Sequence, residues 1–337
     1  MSEIQDWERK IGRRLQLRDL HVVFAVAEHG SMAKAAESLR VTQSAVSQVV
    51  AGVEQELGVR LFDRSRRGVE ATVYGQALIR RGKAAFDELR QGIQEIEYLK
   101  MPGTGEIRIG CPETLAASVL PIAIDMFSDR WPDVLFDVEI FAGDIAAAKL
   151  RDRSIDLVFI RDGPGLSSLA ASDDFKITKV FEDRLRVVVG SKSPWAKLRR
   201  VDLTDLADAP WIMLPYGWGV DLIPKAFGMR RLPPPRIALR TFSIHLRLHL
   251  LSTGRFVSAL PDSVLRLHQE RFDLKALRVE LPKTPYGVAI VTLKSRSLSP
   301  IVDHFIRSTA TRFETYSRPG SRARAAAASG DTNSRSP

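Results

Sequence analysis

From Leu17 the apolar positions Leu20, Val23, Phe24 and Ala27 recur at three- and four-residue steps, which predicts a helix ending near Gly30. Ser31 suits the N-cap of a second helix, Met32 to Leu39, whose small Ala35 and Ala36 permit close helix approach. After a turn at Arg40 and Val41, Thr42 can cap a third helix from Gln43 to Leu57. Val46, Val49, Val50, Val53 and Leu57 face inward along it, and Gly58 stops it. Three short helices with a tight turn between the last two form a helix-turn-helix. The third then offers Thr42, Gln43, Ser44, Ser47 and Gln48 to a major groove. Small three-helix bundles also occur as purely structural units.

The segment from Leu61 to Thr72 reads as a short strand, a basic turn and a second strand, the form of a wing. Residues 60–67 carry four arginines against one aspartate, which sets Arg64, Arg66 and Arg67 beside the third helix, where they can touch phosphates or enter a minor groove. Tyr74 to Lys100 contains no proline. Ile79, Gly82, Phe86, Leu89, Ile93 and Ile96 follow the spacing of a coiled-coil seam, with Arg80, Lys83, Asp87, Arg90 and Glu95 outside it. One helix cannot bury such a seam alone, so dimerisation is the economical reading, and packing on the chain's own C-terminal domain is the alternative. Pro102-Gly103-Thr104-Gly105 then breaks the pattern and marks a domain boundary.

Beyond Gly105, apolar runs predict strands at 106–110, 136–141, 157–160, 185–189, 211–214, 256–260 and 288–293. Helices are predicted near 115–128, 145–151, 244–252 and 300–313. This alternation indicates an α/β domain with mainly parallel sheets, whose ligands sit at the carboxyl ends of strands.

Composition changes this picture less than its numbers suggest. The 337 residues carry 50 Lys+Arg and 40 Asp+Glu, a formal charge of +10, which invites a polyanionic partner. Yet Arg18 to Tyr74 holds 7 basic and 7 acidic residues, so it is the placement of the wing arginines that points to nucleic acid. The span from Arg318 to Pro337 is basic, rich in Ala and Ser, and reads as a disordered tail. No apolar run reaches the roughly 18 residues of a membrane span, and the N-terminus lacks the apolar core of a signal peptide, so a cytoplasmic protein is expected. Cys111 is the single cysteine, which excludes an intrachain disulfide and any Cys-based zinc cluster.

Leu20 to Gly75, through Phe24, Gly30-Ser31, Ala35-Ala36, Leu39, Gln43-Ser44-Ala45-Val46-Ser47, Glu54, Leu57-Gly58, Leu61-Phe62, Arg64 and Thr72, closely resembles the winged helix-turn-helix of LysR-type bacterial transcriptional regulators. The remainder is similar, more loosely, to their effector domain through Gly105-Glu-Ile-Arg-Ile-Gly110, Asp156-Leu-Val, Leu203-Thr-Asp-Leu206 and Ser258-Ala-Leu-Pro261. The resemblance implies an α plus α/β chain. Residues 1–16 form an N-terminal extension, 17–73 a winged helix-turn-helix and 74–101 a linker and dimerisation helix. An effector domain follows over 105–317, built of two Rossmann-like lobes of the type 2 periplasmic-binding-protein kind, and the tail occupies 318–337. Lobe I is expected at about 105–165 and 262–317, and lobe II at about 166–261. By the same resemblance Gln43, Ser44, Ser47 and Gln48 contact base edges or nearby phosphates, and Arg67 is the wing arginine. Operator DNA, further copies of the chain in a dimer or tetramer, and RNA polymerase are the implied macromolecular partners.

An effector pocket is expected between the lobes. Cys111-Pro112-Glu113-Thr114 leads into a helix whose free N–H groups and positive dipole end favour an anion. Thr114 matches a position where the family often binds an effector carboxylate, whereas Asp144 stands where a Ser or Thr is common. Arg161, at the end of the third strand, is a candidate compensating cation, and Pro215 to Gly219 with Ser243 are expected to face it from the second lobe. Tyr216 and Trp218 in that loop are expected to form an apolar lid for an aromatic ligand. Asp144 and Ser243 serve equally as helix N-caps, and Arg161 equally as one side of a salt bridge between lobes.

Other chemistry is weaker. Disulfide sensing at Cys111 lacks a second thiol. His245 and His249 are spaced i, i+4 without a third metal ligand. No phosphate loop or nucleophile–base set is present, so neither a catalytic residue nor a cofactor is expected. A small-molecule transport protein fits the two lobes, but the missing export signal and the N-terminal domain oppose it. An enzyme has only the sheet architecture in its favour.

Overall fold

The computed structural model describes residues 15–65, 68–216, 219–282 and 286–316. The chain divides into two compact units, Met1–Arg90 and Gln91–Pro337. The first holds helices α1 (Leu17–His29), α2 (Met32–Leu39) and α3 (Gln43–Leu57), then strands β1 (Phe62–Ser65) and β2 (Gly68–Ala71). Gly30 and Gly58 take the left-handed conformation that closes α1 and α3, and Arg40 does the same for α2. Val23, Val26, Ala35, Ala36, Val46, Val50, Val53, Leu61 and Phe62 form one core. Val49 and Leu57, expected inward, are only half-buried.

Helix α4 (Val73–Lys100) begins in the first unit and continues into the second. Its apolar seam splits into two parts. Phe86 meets the edge of Phe24 on α1, with ring centroids 5.5 Å apart, and a Cβ on Gly82 would lie 2.7 Å from the same ring. Leu89, Ile93 and Ile96 are exposed, at 51%, 58% and 54%. The first half of the expected seam therefore packs on α1 within the first unit.

The second unit contains two five-stranded sheets. The first has the order β4-β3-β5-β12-β6, from β3 (Gly105–Cys111), β4 (Val134–Ile140), β5 (Leu157–Arg161), β6 (Phe175–Asp183) and β12 (Tyr286–Leu293). The second has the order β11-β7-β10-β8-β9, from β7 (Leu185–Gly190), β8 (Trp211–Met213), β9 (Ile237–Arg240), β10 (Val257–Pro261) and β11 (Leu274–Ala276). Helices α5 (Glu113–Ala116), α6 (Val119–Arg130), α7 (Ala146–Arg151), α8 (Pro164–Ala170) and α12 (Pro300–Tyr316) accompany the first sheet. Helices α9 (Leu222–Met229), α10 (Ile244–Ser252) and α11 (Asp262–His268) accompany the second.

Three expectations change. The sheets are mixed, since β12 runs antiparallel to β5 and β6, and β7 antiparallel to β10 and β11. Lobe I extends to Asp183 rather than 165, because β6 pairs with β12, and lobe II reaches Ala276 rather than 261, because β11 pairs with β7. The helix expected over 115–128 is two helices. Ser118 leaves helical geometry and its hydroxyl donates to the Thr114 carbonyl at 2.6 Å, which ends the first turn.

Asp156, in one of the motifs that carry the resemblance, ties the first lobe together. Its carboxylate accepts from the Arg108 backbone at 2.7 Å and pairs with the guanidinium groups of Arg108 and Arg296. Among the described residues no helix is long and apolar enough to cross a membrane.

Candidate functional site

In the N-terminal unit the Thr42 hydroxyl accepts from Ala45 N–H at 3.2 Å and lies 2.9 Å from the Ser44 hydroxyl. Thr42 is thus spent on capping α3, as its sequence position predicts. Gln43, Ser44 and Gln48 are exposed on the first turns of α3, and Ser47 is half-buried. Arg64 is exposed on β1, opposite Val69 of β2. Arg66 and Arg67, expected at the wing tip, lie outside the described residues.

The wing is held at both strands. Glu54 of α3 accepts from the backbone N–H groups of Leu61 at 2.7 Å and Phe62 at 3.2 Å, and Val69 N–H donates to the Gly30 carbonyl at 2.9 Å. One carboxylate on α3 and one carbonyl at the α1–α2 turn therefore fix the wing beside α3.

In the C-terminal unit a cavity of about 630 Å³ opens between the lobes. Its walls are the ends of β3, β4 and β5 from one lobe and Leu214, Tyr216, Val220, Asp221 and Phe242 from the other. The cavity brings together Pro112, Thr114, Asp144, Arg161 and Tyr216 of the expected set. Tyr216 meets Phe242 edge-on, with centroids 4.8 Å apart, and supplies part of the expected aromatic wall. Trp218 lies outside the described residues. Pro215 and Ser243 are absent from the cavity wall, and the Ser243 hydroxyl accepts from Leu246 N–H as the N-cap of α10. The Asp144 carboxylate accepts from the adjacent Ile145 N–H at 3.1 Å while still facing the cavity.

Arg161 is not a free cation. Its Nη1 donates to Asp183 at 2.7 Å and its Nη2 to the Ser263 hydroxyl at 3.2 Å, and Ser263 donates in turn to Asp183 at 2.6 Å. Burial pushes the Arg161 pKa down, and Asp183 opposes that shift. The residue welds β5 and the crossover at Asp183 to the start of α11 in the second lobe. The helix-dipole expectation at Pro112 also fails, since α5 is a single turn and too short for an appreciable macrodipole.

Cys111 is buried, and burial raises its thiol pKa to about 12, so it stays protonated and inert at neutral pH. The Nε2 atoms of His245 and His249 lie 3.0 Å apart, and both rings meet Phe272 edge-on. No group of three metal-ligating side chains occurs among the described residues.

Residues 17–76 match the bacterial regulatory helix-turn-helix protein model of the lysR family, and residues 102–314 match the LysR substrate binding domain. The chain belongs to the LysR family. It is accordingly a DNA-binding transcriptional regulator and not an enzyme. Curated relatives of this LysR-family chain include the transcriptional dual regulator GltC of Bacillus subtilis, 28% identical over 86% of this chain and 95% of GltC. The HTH-type transcriptional regulator YybE of the same organism is 26% identical over 89% and 99%. Among solved structures, full-length CbnR in complex with its target DNA covers 89% of the chain and 100% of CbnR, with a TM-score of 0.61 and 21% identity.

Two cleft residues of this LysR-type regulator escape the sequence pattern. The Glu113 carboxylate, from the first lobe, accepts from Ile244 N–H of the second at 2.9 Å. Arg247, on α10, is a buried cation with 2% of its surface exposed. In sequence Arg247 sits among His245, Leu246 and Leu248, where only its helical register, one turn after the Ser243 cap, marks it as inward.

Proposed function

We propose that this regulator reads an operator through the first turns of α3, with the wing arginines on the flanking backbone, and answers to a small apolar or aromatic anion held between its lobes. Gln43 is suited to pair bidentately with adenine, while Ser44 and Ser47 are permissive and Gln48 reaches a neighbouring base or phosphate. CbnR was solved on its target DNA, and the same use of the N-terminal unit is proposed here. The exposed stripe Leu89, Ile93 and Ile96 on α4 is the proposed dimer seam, and the dimer places two reading helices on a two-fold site. A tetramer then forms from two dimers, in the cytoplasm, with RNA polymerase as the further partner.

The observation that carries the effector reading is the 630 Å³ cavity walled by both lobes, which lies within the size range of small-molecule sites. A ligand that binds one lobe arrangement better shifts the population toward it, and its leverage is limited to that difference in affinity. Selection of genomic fragments on the full-length chain tests the reading. The expected result is one shared, two-fold sequence whose occupancy changes when small-molecule extracts are added. Recovery of unrelated fragments with no common sequence would overturn it.

A further inference from the structure

Arg247 is buried without a carboxylate within ion-pair distance among the described residues. Its Nη2 donates to the Ser258 hydroxyl at 2.9 Å and the Ala259 carbonyl at 2.6 Å, while Nε is buried with no partner. Burial lowers its pKa to about 10, and the more distant charge of Glu113 opposes that shift, so the guanidinium remains cationic at neutral pH. A guanidinium taken out of water without a counter-charge is costly, and an incoming anion would offset that cost.

The same side chain lines a second cavity of about 20 Å³ together with Thr114 of the other lobe, Met213, Leu214, Val220 and Ala259. That space suffices for roughly one water-sized polar group. Thr114, Leu214 and Val220 also line the large cleft, so the small cavity adjoins it. Among the described residues no hydrogen bond engages the Thr114 hydroxyl. The recess thus presents a neutral hydroxyl from one lobe and a buried cation from the other. The adjoining cleft presents Phe141, Ile160, Tyr216 and Phe242.

We propose that Arg247 and Thr114 seat a carboxylate of the effector, whose apolar body fills the larger cleft. This rests on the reading of the cleft as the effector site, and it moves the cation of that site from Arg161 to Arg247. The charge-assisted pair with Arg247 sets affinity, and the Thr114 hydroxyl joins the two lobes through the bound oxygen.

The test uses the full-length chain and two matched sets of probes. One set is butyrate, hexanoate, benzoate and cinnamate, and the other is the corresponding primary amides, with binding read by thermal shift and calorimetry. At least one acid should bind and stabilise the wild type while its amide does not. Arg247→Met should weaken that acid by about 30-fold or more, and Thr114→Val should weaken it less. Arg247→Lys, which keeps the charge, should retain part of the affinity, and circular dichroism confirms that each variant is folded. Should Arg247→Met not fold, Thr114→Val and Arg247→Lys carry the test. Equal binding of acids and amides, no binding by any acid, or unchanged affinity in these variants would each overturn the proposal. An acid lost in the cleft-filling Ala142→Trp but retained in Arg247→Met would overturn the anion seat and leave the cleft reading standing. An acid that still binds Ala142→Trp with wild-type affinity would overturn both.

Discussion

The carboxylate of Glu113 accepts a hydrogen bond from Ile244 N–H at 2.9 Å, so a side chain of the first lobe satisfies the start of a helix in the second. Carboxylates at helix N-termini stabilise through the free N–H groups and the dipole. Glu113→Ala should therefore cost about 1 kcal/mol, and Glu113→Gln less, because it keeps an acceptor. Urea titration of the full-length protein checks the order. Equal stabilities for all three proteins would deny the contact a role in joining the lobes.

Arg161 and Asp183 form a buried pair at 2.7 Å, with each side chain 2% exposed. Removing one partner strands the other charge. Arg161→Met or Asp183→Asn alone should lose about 3–5 kcal/mol, and the double variant less than the sum of the two. Additive losses, measured by denaturation, would show that the charges do not act as a unit.

Cys111 gives a prediction in alkaline solution. Its thiol pKa rises from 9.0 to about 12 on folding because burial opposes the thiolate. The unfolded chain then gives up its proton first. Stability should be unaffected below about pH 8 and fall between pH 9 and 12, and Cys111→Ala should flatten that slope. A thiol reagent at pH 8 should label Cys111 only on unfolding. Rapid labelling of the native protein would contradict the buried position.

In the first unit, the wing depends on groups that carry no charge to DNA. Glu54→Ala orphans two backbone N–H groups, and a Cβ at Gly75 would run into the carbonyl oxygen of Leu61. Each substitution should cost about 1–3 kcal/mol of N-terminal unit stability. DNA affinity should fall together with that stability. Thermal denaturation alongside a binding assay separates this from a contact role, which would leave stability unchanged.

The N-terminal unit was legible almost to the residue, because Ser31, Thr42, Gly30 and Gly58 are caps whose chemistry acts locally. The second unit was legible at its central strands and at the edge strand β4. The three strands not foreseen, β6, β9 and β11, are all edges of their sheets, and Lys176, Lys179 and Lys275 on them read as loop. Edge strands carry such charges to block pairing with other chains, which erases the apolar signature. Missing β6 also misplaced the crossover, and with it Asp183. Arg161 therefore stayed open between ligand contact and salt bridge, while Arg247, the cation buried with no carboxylate in ion-pair distance among the described residues, lay in a helix whose local pattern is unremarkable. Burial without a counter-charge is a tertiary property that no spacing of residues discloses.

Sequence reading by α3, as proposed, rests on Gln43. Wild type and Gln43→Ala are titrated against the selected operator and against a scrambled duplex over a series of salt concentrations. Gln43→Ala should lose about 1–3 kcal/mol of preference for the operator while its salt dependence stays that of the wild type. An undiminished preference would contradict that reading.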